Sequence, residues 1–93
     1  MIKSFKDRQT EDLYGGSRSR KTPPDVAKRA IVKLFLIDTV TRIEDLRVPP
    51  GNRLEALKGD RTGQHAIRVN DQWRICFVWR EGDAYDVEFC DYH

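Results

Sequence analysis

The sequence predicts an α+β domain in which two N-terminal helices pack on one face of a small antiparallel β-sheet. Two periodicities carry that expectation. In the first half, Ala27, Ala30, Ile31, Leu34 and Ile37 recur at i, i+3, i+4 and i+7, the spacing of one helix face. In the second half the period shortens to two: Trp73, Ile75, Phe77 and Trp79 alternate with Arg74, Cys76 and Val78. Helical signals come first and strand signals follow, which is the order of an α+β fold. At 93 residues the chain is expected to form a single domain, 1–93, near the small end of what folds alone.

Element by element, Met1 to Phe5 alternates and reads as a short first strand, and Asp7 to Tyr14 as a short helix. Gly15-Gly16-Ser17-Arg18-Ser19-Arg20-Lys21 is a basic loop with little to bury, expected to be mobile in the free protein. Thr22-Pro23-Pro24-Asp25 opens the main helix, with Thr22 or Asp25 as cap and proline tolerated in the first turn. Asp38 is the one polar residue on its apolar stripe, and the helix should fade at Thr39-Val40-Thr41, whose β-branched members are weak helix formers. A further helical turn is expected at Ile43 to Leu46, and Pro49-Pro50-Gly51-Asn52 is a stop.

Strands then follow at Leu54 to Leu57, His65 to Val69, Trp73 to Trp79, and from beyond the Glu81-Gly82-Asp83 turn to Cys90. Strict alternation in the last strand puts Tyr85, Val87 and Phe89 on one side and Asp86, Glu88, Cys90 and Tyr92 on the other. The large apolar residues need helical cover. Arg74 and Tyr92 then share the opposite, ligand-accessible face.

Composition narrows the class. Hydrophobic residues are 39% and charged residues 34%, enough for a compact fold with a modest core. No apolar run approaches the roughly 20 residues of a membrane span; the longest, Ile31 to Ile37, is broken by Lys33. The N-terminus has no signal-peptide h-region, so a cytoplasmic location is expected. Cys76 and Cys90 lie in strands without metal-ligand spacing and read as buried free thiols, with a cross-strand bridge as the alternative. Neither a metal nor another cofactor is implied.

Charge is uneven although the net is only +2. Residues 18–33 hold six cations against one acid, and residues 81–91 hold five acids and no base. That asymmetry can attract a polyanion to one side, although a solvated basic face gives the same pattern.

Phosphate chemistry suits the residues of the open face. RNA cleavage through the 2′-hydroxyl needs a proton acceptor, stabilisation of a pentacoordinate phosphate, and a proton for the departing 5′-oxygen. Arg74 offers a planar fork of donors. Lys58, just before flexible Gly59, adds a second charge. Tyr92 can donate a proton or stack on a base. Glu55 and Asp91 can orient these groups, and His93 is a lesser candidate. His65 shares a strand side with Ile67 and Val69, so it reads as a packed histidine.

At these residues the chain resembles the HigB/RelE-like family of mRNA interferase toxins, and within it the HigB branch, also called plasmid maintenance system killer proteins. The resembling segments are Met1 to Phe5, Pro49 to Gly59, Gly63-Gln64-His65 with Ile67 to Asn70, Trp73 to Phe77, and Asp91-Tyr92-His93. The resemblance implies a microbial-RNase-like fold, ribosome-dependent cleavage of mRNA in the A site, and a helix-turn-helix antitoxin partner of HigA type. Operator DNA would be reached only through that antitoxin. It places the catalytic positions on Lys58, Arg74 and Tyr92, with Glu55, Asp91 and His93 in support. Arg53, Arg61, Arg68, Arg18, Arg20 and Lys21 are the RNA-binding candidates. One departure stands out: some members carry histidine where this chain has Glu55, and a carboxylate can serve as a base but not as a cationic phosphate ligand. The alternative function is a non-catalytic ribosome- or protein-binding module. A DNA-binding regulator is less favoured, because no helix-turn-helix pattern is evident in the sequence.

Overall fold

The computed structural model describes residues 1–17 and 20–91. Its elements are α1 (Arg8–Tyr14), α2 (Pro24–Thr39), β1 (Glu55–Ala56), β2 (Gln64–Arg68), β3 (Trp73–Arg80) and β4 (Asp83–Asp91). Short 3-10 segments lie at Ile43–Arg47, Pro50–Asn52 and Gly59–Arg61. The strands form one antiparallel sheet in the order β1-β2-β3-β4. The expected arrangement, helices first and then an antiparallel sheet that they cover, is the one observed.

Asp7 caps α1 by accepting the Thr10 N–H at 2.8 Å. At α2 the expected cap by Thr22 or Asp25 is not made. Pro23 takes the cap position, and among the described residues no side-chain cap hydrogen bond is made there. Proline at the first helical position has no N–H to satisfy, which lowers the need for a cap. Val26, Ala27, Ala30, Leu34 and Ile37 bury the inner face of α2. They meet Leu46, Ile67, Ile75, Phe77, Ala84 and Val87 in one core.

Asp38 ends the stripe because it ties three segments together. Its carboxylate accepts the Ile2 N–H and the Tyr14 hydroxyl, each at 2.7 Å. Burial alone would raise its pKa, but these two bonds and the N-terminal charge outweigh it, so the carboxyl sits below its usual range. Asn52 does similar work at the next corner. Fully buried, it donates to the carbonyls of Leu46 and Val48 at 3.1 and 3.2 Å and accepts from Lys33.

The Met1–Phe5 segment does not join as an antiparallel strand. It runs parallel to β4 through isolated bridges, Ile2 with Ala84 and Phe5 with Val87. The N–H groups on this edge of β4 find specific acceptors. Ala84 donates to Met1 O, Asp86 to the Ser4 hydroxyl, Val87 to Ser4 O, and Phe89 to the buried Thr10 hydroxyl. An otherwise open sheet edge is thereby covered.

A bulge corrects the expected parity of the last strand. Cys76 pairs with Glu88 and Val78 with Tyr85, so Asp86 and Val87 together face Phe77. Asp86 takes the left-handed conformation, φ 52°, and the extra residue resets the alternation. Ala84, Val87 and Phe89 therefore face the helices. Tyr85 does not: it stands on the open face opposite Val78, with the Arg80 guanidinium 4.6 Å above its ring. Asp86 is the inserted residue and no longer marks a face.

Candidate active site

Register fixes what the open face presents. Glu55, Ala66, Cys76 and Glu88 form one row across the four strands, and Arg68, Arg74 and Cys90 form the next. After β1 the chain turns at Gly59, whose φ of 67° favours glycine. The turn carries Lys58 and Arg61 to the same side. The result is a pocket of ≈ 400 Å³ lined by Glu55, Ala56, Leu57, Lys58, Arg61 and Arg74. Three cations and one carboxylate, drawn from β1, the following turn and β3, thus meet at one concavity.

Arg61 is held by two side-chain acceptors. Its Nη1 donates to Gln64 Oε1 and to Glu88 Oε1, each at 3.0 Å. The bond to Glu88 raises its already high pKa, against desolvation. To reach Glu88 on β4 it crosses the row in which Ala66 and Cys76, both buried and small, leave room. Below it the Cys76 and Cys90 sulfurs lie 3.0 Å apart as free thiols. The hydrogen bond from Cys90, aided by Arg74 and Arg61 and opposed by burial and Glu88, brings Cys76 down to about 7, and the same sharing holds the Cys90 proton on.

The other candidates are dispersed. Arg53 is exposed in a left-handed turn, φ 47°, and does not line this pocket. Arg68 donates to the Asn70 carbonyl at 3.1 Å and pairs with Asp71. It lines a larger pocket of ≈ 450 Å³ with Lys28, Arg29, Lys33, Val32, Gly51 and Val69. That second pocket is the roomier one, yet it holds no carboxylate beside its cations. The 400 Å³ pocket gathers three cations around one carboxylate, whereas a smaller pocket of ≈ 160 Å³ nearby sets Arg47 beside Glu44, Glu55 and His65.

Arg20 and Lys21 are exposed between the helices. Asp91 is opposite Trp73 in register, so it belongs to the row facing the helices, and it accepts from Gln72 at 3.1 Å. His65 is partly buried with its ring 6.3 Å from that of Phe77, as its strand side predicts. Arg18, Tyr92 and His93 lie outside the described residues.

Glu88 is the residue that sequence reasoning did not single out. Its side of β4 was readable, since it shares parity with Cys90. Its partner Arg61, 27 residues away on a turn, was not.

Chemically, the pocket can grip a dianionic or pentacoordinate phosphate between a forked guanidinium and an ammonium. Glu55 sits close enough to the same space to accept a proton. Among the described residues, no helix is long and apolar enough to cross a membrane.

Comparison with known proteins bears on the family and the fold. The family model described as the RelE-like toxin of type II toxin-antitoxin system HigB matches residues 3–93. Toxin HigB-1 of Vibrio cholerae is 39% identical over 88 residues, covering 94% of this chain and 93% of that protein. Endoribonuclease HigB of Proteus vulgaris is 39% identical over 93 residues, covering all of both. Among solved structures, the YoeB-YefM complex from Staphylococcus aureus matches with a TM-score of 0.56 at 15% identity, covering 100% of this chain and 98% of that one. At that identity the likeness is one of fold.

Proposed function

The chain belongs to the HigB family of RelE-like toxins of type II toxin-antitoxin systems, and from that premise we propose that it is an endoribonuclease that cuts mRNA in the ribosomal A site. Residues 1–93 act as one toxin domain in the cytoplasm, and a helix-turn-helix antitoxin of HigA type neutralises it. The observation that carries the reading is the meeting of Lys58, Arg61, Arg74 and Glu55 around one pocket. The name of the Proteus vulgaris relative supports the same reaction class.

In the proposed reaction the 2′-oxygen of the message attacks the adjacent phosphorus and the bond to the 5′-oxygen breaks. Glu55 takes the 2′-hydroxyl proton. Arg74 and Lys58 hold the non-bridging oxygens as charge builds on them, where a fixed donor is worth about 10²- to 10³-fold in rate. Tyr92 gives a proton to the leaving 5′-oxygen or stacks on the neighbouring base. Asp91 and His93 act in support, and Arg61 fixes the pocket wall through Glu88. Arg53, Arg68, Arg18, Arg20 and Lys21 contact RNA backbone outside the pocket.

Among the described residues no histidine lines the pocket, and in this proposal the ribosome supplies much of the alignment, since attack-ready geometry is a large part of any rate. Purified protein on ribosome-bound message should therefore cleave far faster than on the same RNA naked. Equal rates would remove the ribosome from the proposal. Arg74→Ala should abolish cleavage while ribosome binding persists; loss of binding with it would favour a non-catalytic binding module instead.

A further inference from the structure

We propose that Cys76 and Cys90 form a reversible oxidation site that closes to an intramolecular disulfide across β3 and β4. Neither thiol has a role in the cleavage chemistry, and the inference does not rest on it. The two sulfurs stand 3.0 Å apart. A bonded pair sits at about 2.05 Å, so closing needs about 1 Å of sulfur movement. Register explains the approach. Cys76 is opposite Glu88 and Cys90 opposite Arg74, so the two cysteines are diagonal neighbours on one face of adjacent strands. Both project from the open face, where no helix packs between them.

Access is asymmetric in a way that orders the steps. Cys76 is fully buried, whereas Cys90 is partly exposed. A small disulfide oxidant can reach only Cys90. From the state in which the two sulfurs hold one proton between them, that proton moves from Cys90 to Cys76 along their shared hydrogen bond, and the Cys90 thiolate attacks one sulfur of the oxidant. The oxidant's S–S bond breaks and one thiolate departs with the electron pair. Cys76 then gives its proton to a departing thiolate and attacks Cys90 Sγ, displacing the second one. Counted from that state, the pair loses one proton and two electrons, and the oxidant leaves as one thiol and one thiolate, which water protonates.

The environment favours the second step. Thiolate is the nucleophile in such exchange, and Arg74 and Arg61 both stabilise negative charge on Cys76. In reducing compartments disulfides are mostly transient and redox-sensing, which suits a pair that is close but not bonded. When the bridge forms, the strands carrying Arg74 and Glu88 become covalently joined directly beneath the pocket. Arg61 and Arg74 then lose the sulfur anion that lies near both.

The test is the intact mass of the full chain after incubation with glutathione disulfide. The expected result is loss of two hydrogens with no retained glutathione, a single cross-linked peptide joining Cys76 to Cys90, and reversal by dithiothreitol. Cys76→Ala should instead stop at the first step, with a stable glutathione adduct on Cys90. An unchanged wild-type mass, a persistent adduct on wild-type Cys90, or a covalent dimer would each overturn the proposal. Should Cys76→Ala fail to fold, the wild-type peptide map decides alone, because it distinguishes bridge from adduct without the variant.

Discussion

The helix-covered face of the sheet and its open face are cut from the same strands, yet they obey opposite rules. On β3, Ile75 and Phe77 are sealed under α2 and Val87, while Arg74 and Cys76, one residue away, stand beside Arg61 and Glu88. The covered face gains stability from removing apolar area from water, about 25 cal/mol per Å². The open face holds charges that gain little from folding and are held in place by one another. The lesson is that a one-residue step along β3 separates a position that keeps the fold from one that serves the pocket. Stability and activity should therefore respond to different mutations, and the sharpest tests alternate along the strand.

The largest effect is expected on the covered face. Phe77→Ala removes a fully buried ring and should cost about 3–5 kcal/mol, a large share of the margin of a domain this size. Urea unfolding should show the midpoint fall steeply, and toxicity should vanish along with the fold. A midpoint close to wild type would mean that the core collapses around the gap.

Next comes Asp38, which bonds α1, α2 and the N-terminal segment at once. Asp38→Asn should cost about 1–3 kcal/mol at neutral pH. The carboxyl is held below its usual pKa, so its contribution is present above the unfolded value, about 3.9, and is lost as pH falls through the folded value. The gap between wild type and variant in urea should therefore be flat at neutral pH and close in acid. The partner Tyr14 has its phenol raised by burial, and then by Asp38, from 10.0 to about 12. Its contribution is complete below 10.0 and lost as pH rises through about 12. A wild-type curve parallel to Asp38→Asn at every pH would break the assignment.

On the open face, Arg74→Ala should change stability by about 1 kcal/mol or less and yet relieve growth inhibition at equal expression. If it unfolds the domain as Phe77→Ala does, the division between the faces is not functional. The smallest effect belongs to the basic loop, remote from both faces in sequence. Replacing Arg18, Arg20 and Lys21 with neutral residues should lower the salt dependence of ribosome binding by about 0.7–0.9 in slope per lost phosphate contact. An unchanged slope would assign the loop to antitoxin contact or to linker duty.

Most of the fold was legible because the core elements obey local rules. The α2 stripe, the β3 alternation and the Glu81-Gly82 hairpin turn are each dictated within a few residues of sequence. Apart from the α2 cap, the failures are non-local. Tyr85 was assigned to the wrong face because the bulge at Asp86 depends on Ser4, whose hydroxyl accepts the inserted N–H. The N-terminal segment looked like a strand of the sheet, but its partner choice and direction are set by β4, at the other end of the chain. Within the candidate site, parity put Arg74 on the open face, and the resemblance set Lys58 beside it. The Arg61–Glu88 clasp could not, because nothing local links a turn after β1 to the middle of β4. The closeness of Cys76 and Cys90 needed the register, which only the bulge fixes.

The parallel pairing of Met1 to Phe5 with β4 also has a consequence in time. Synthesis delivers this segment about 80 residues before Ala84 and Val87 of β4, which it must meet. Until then Ile2, Phe5 and the Thr10 hydroxyl have no strand to dock on, and the helices have no complete sheet to cover. Closure of the domain thus waits for β4. For the ribosome-directed nuclease proposed above, that delay would spare the ribosome assembling it until β4 has been made.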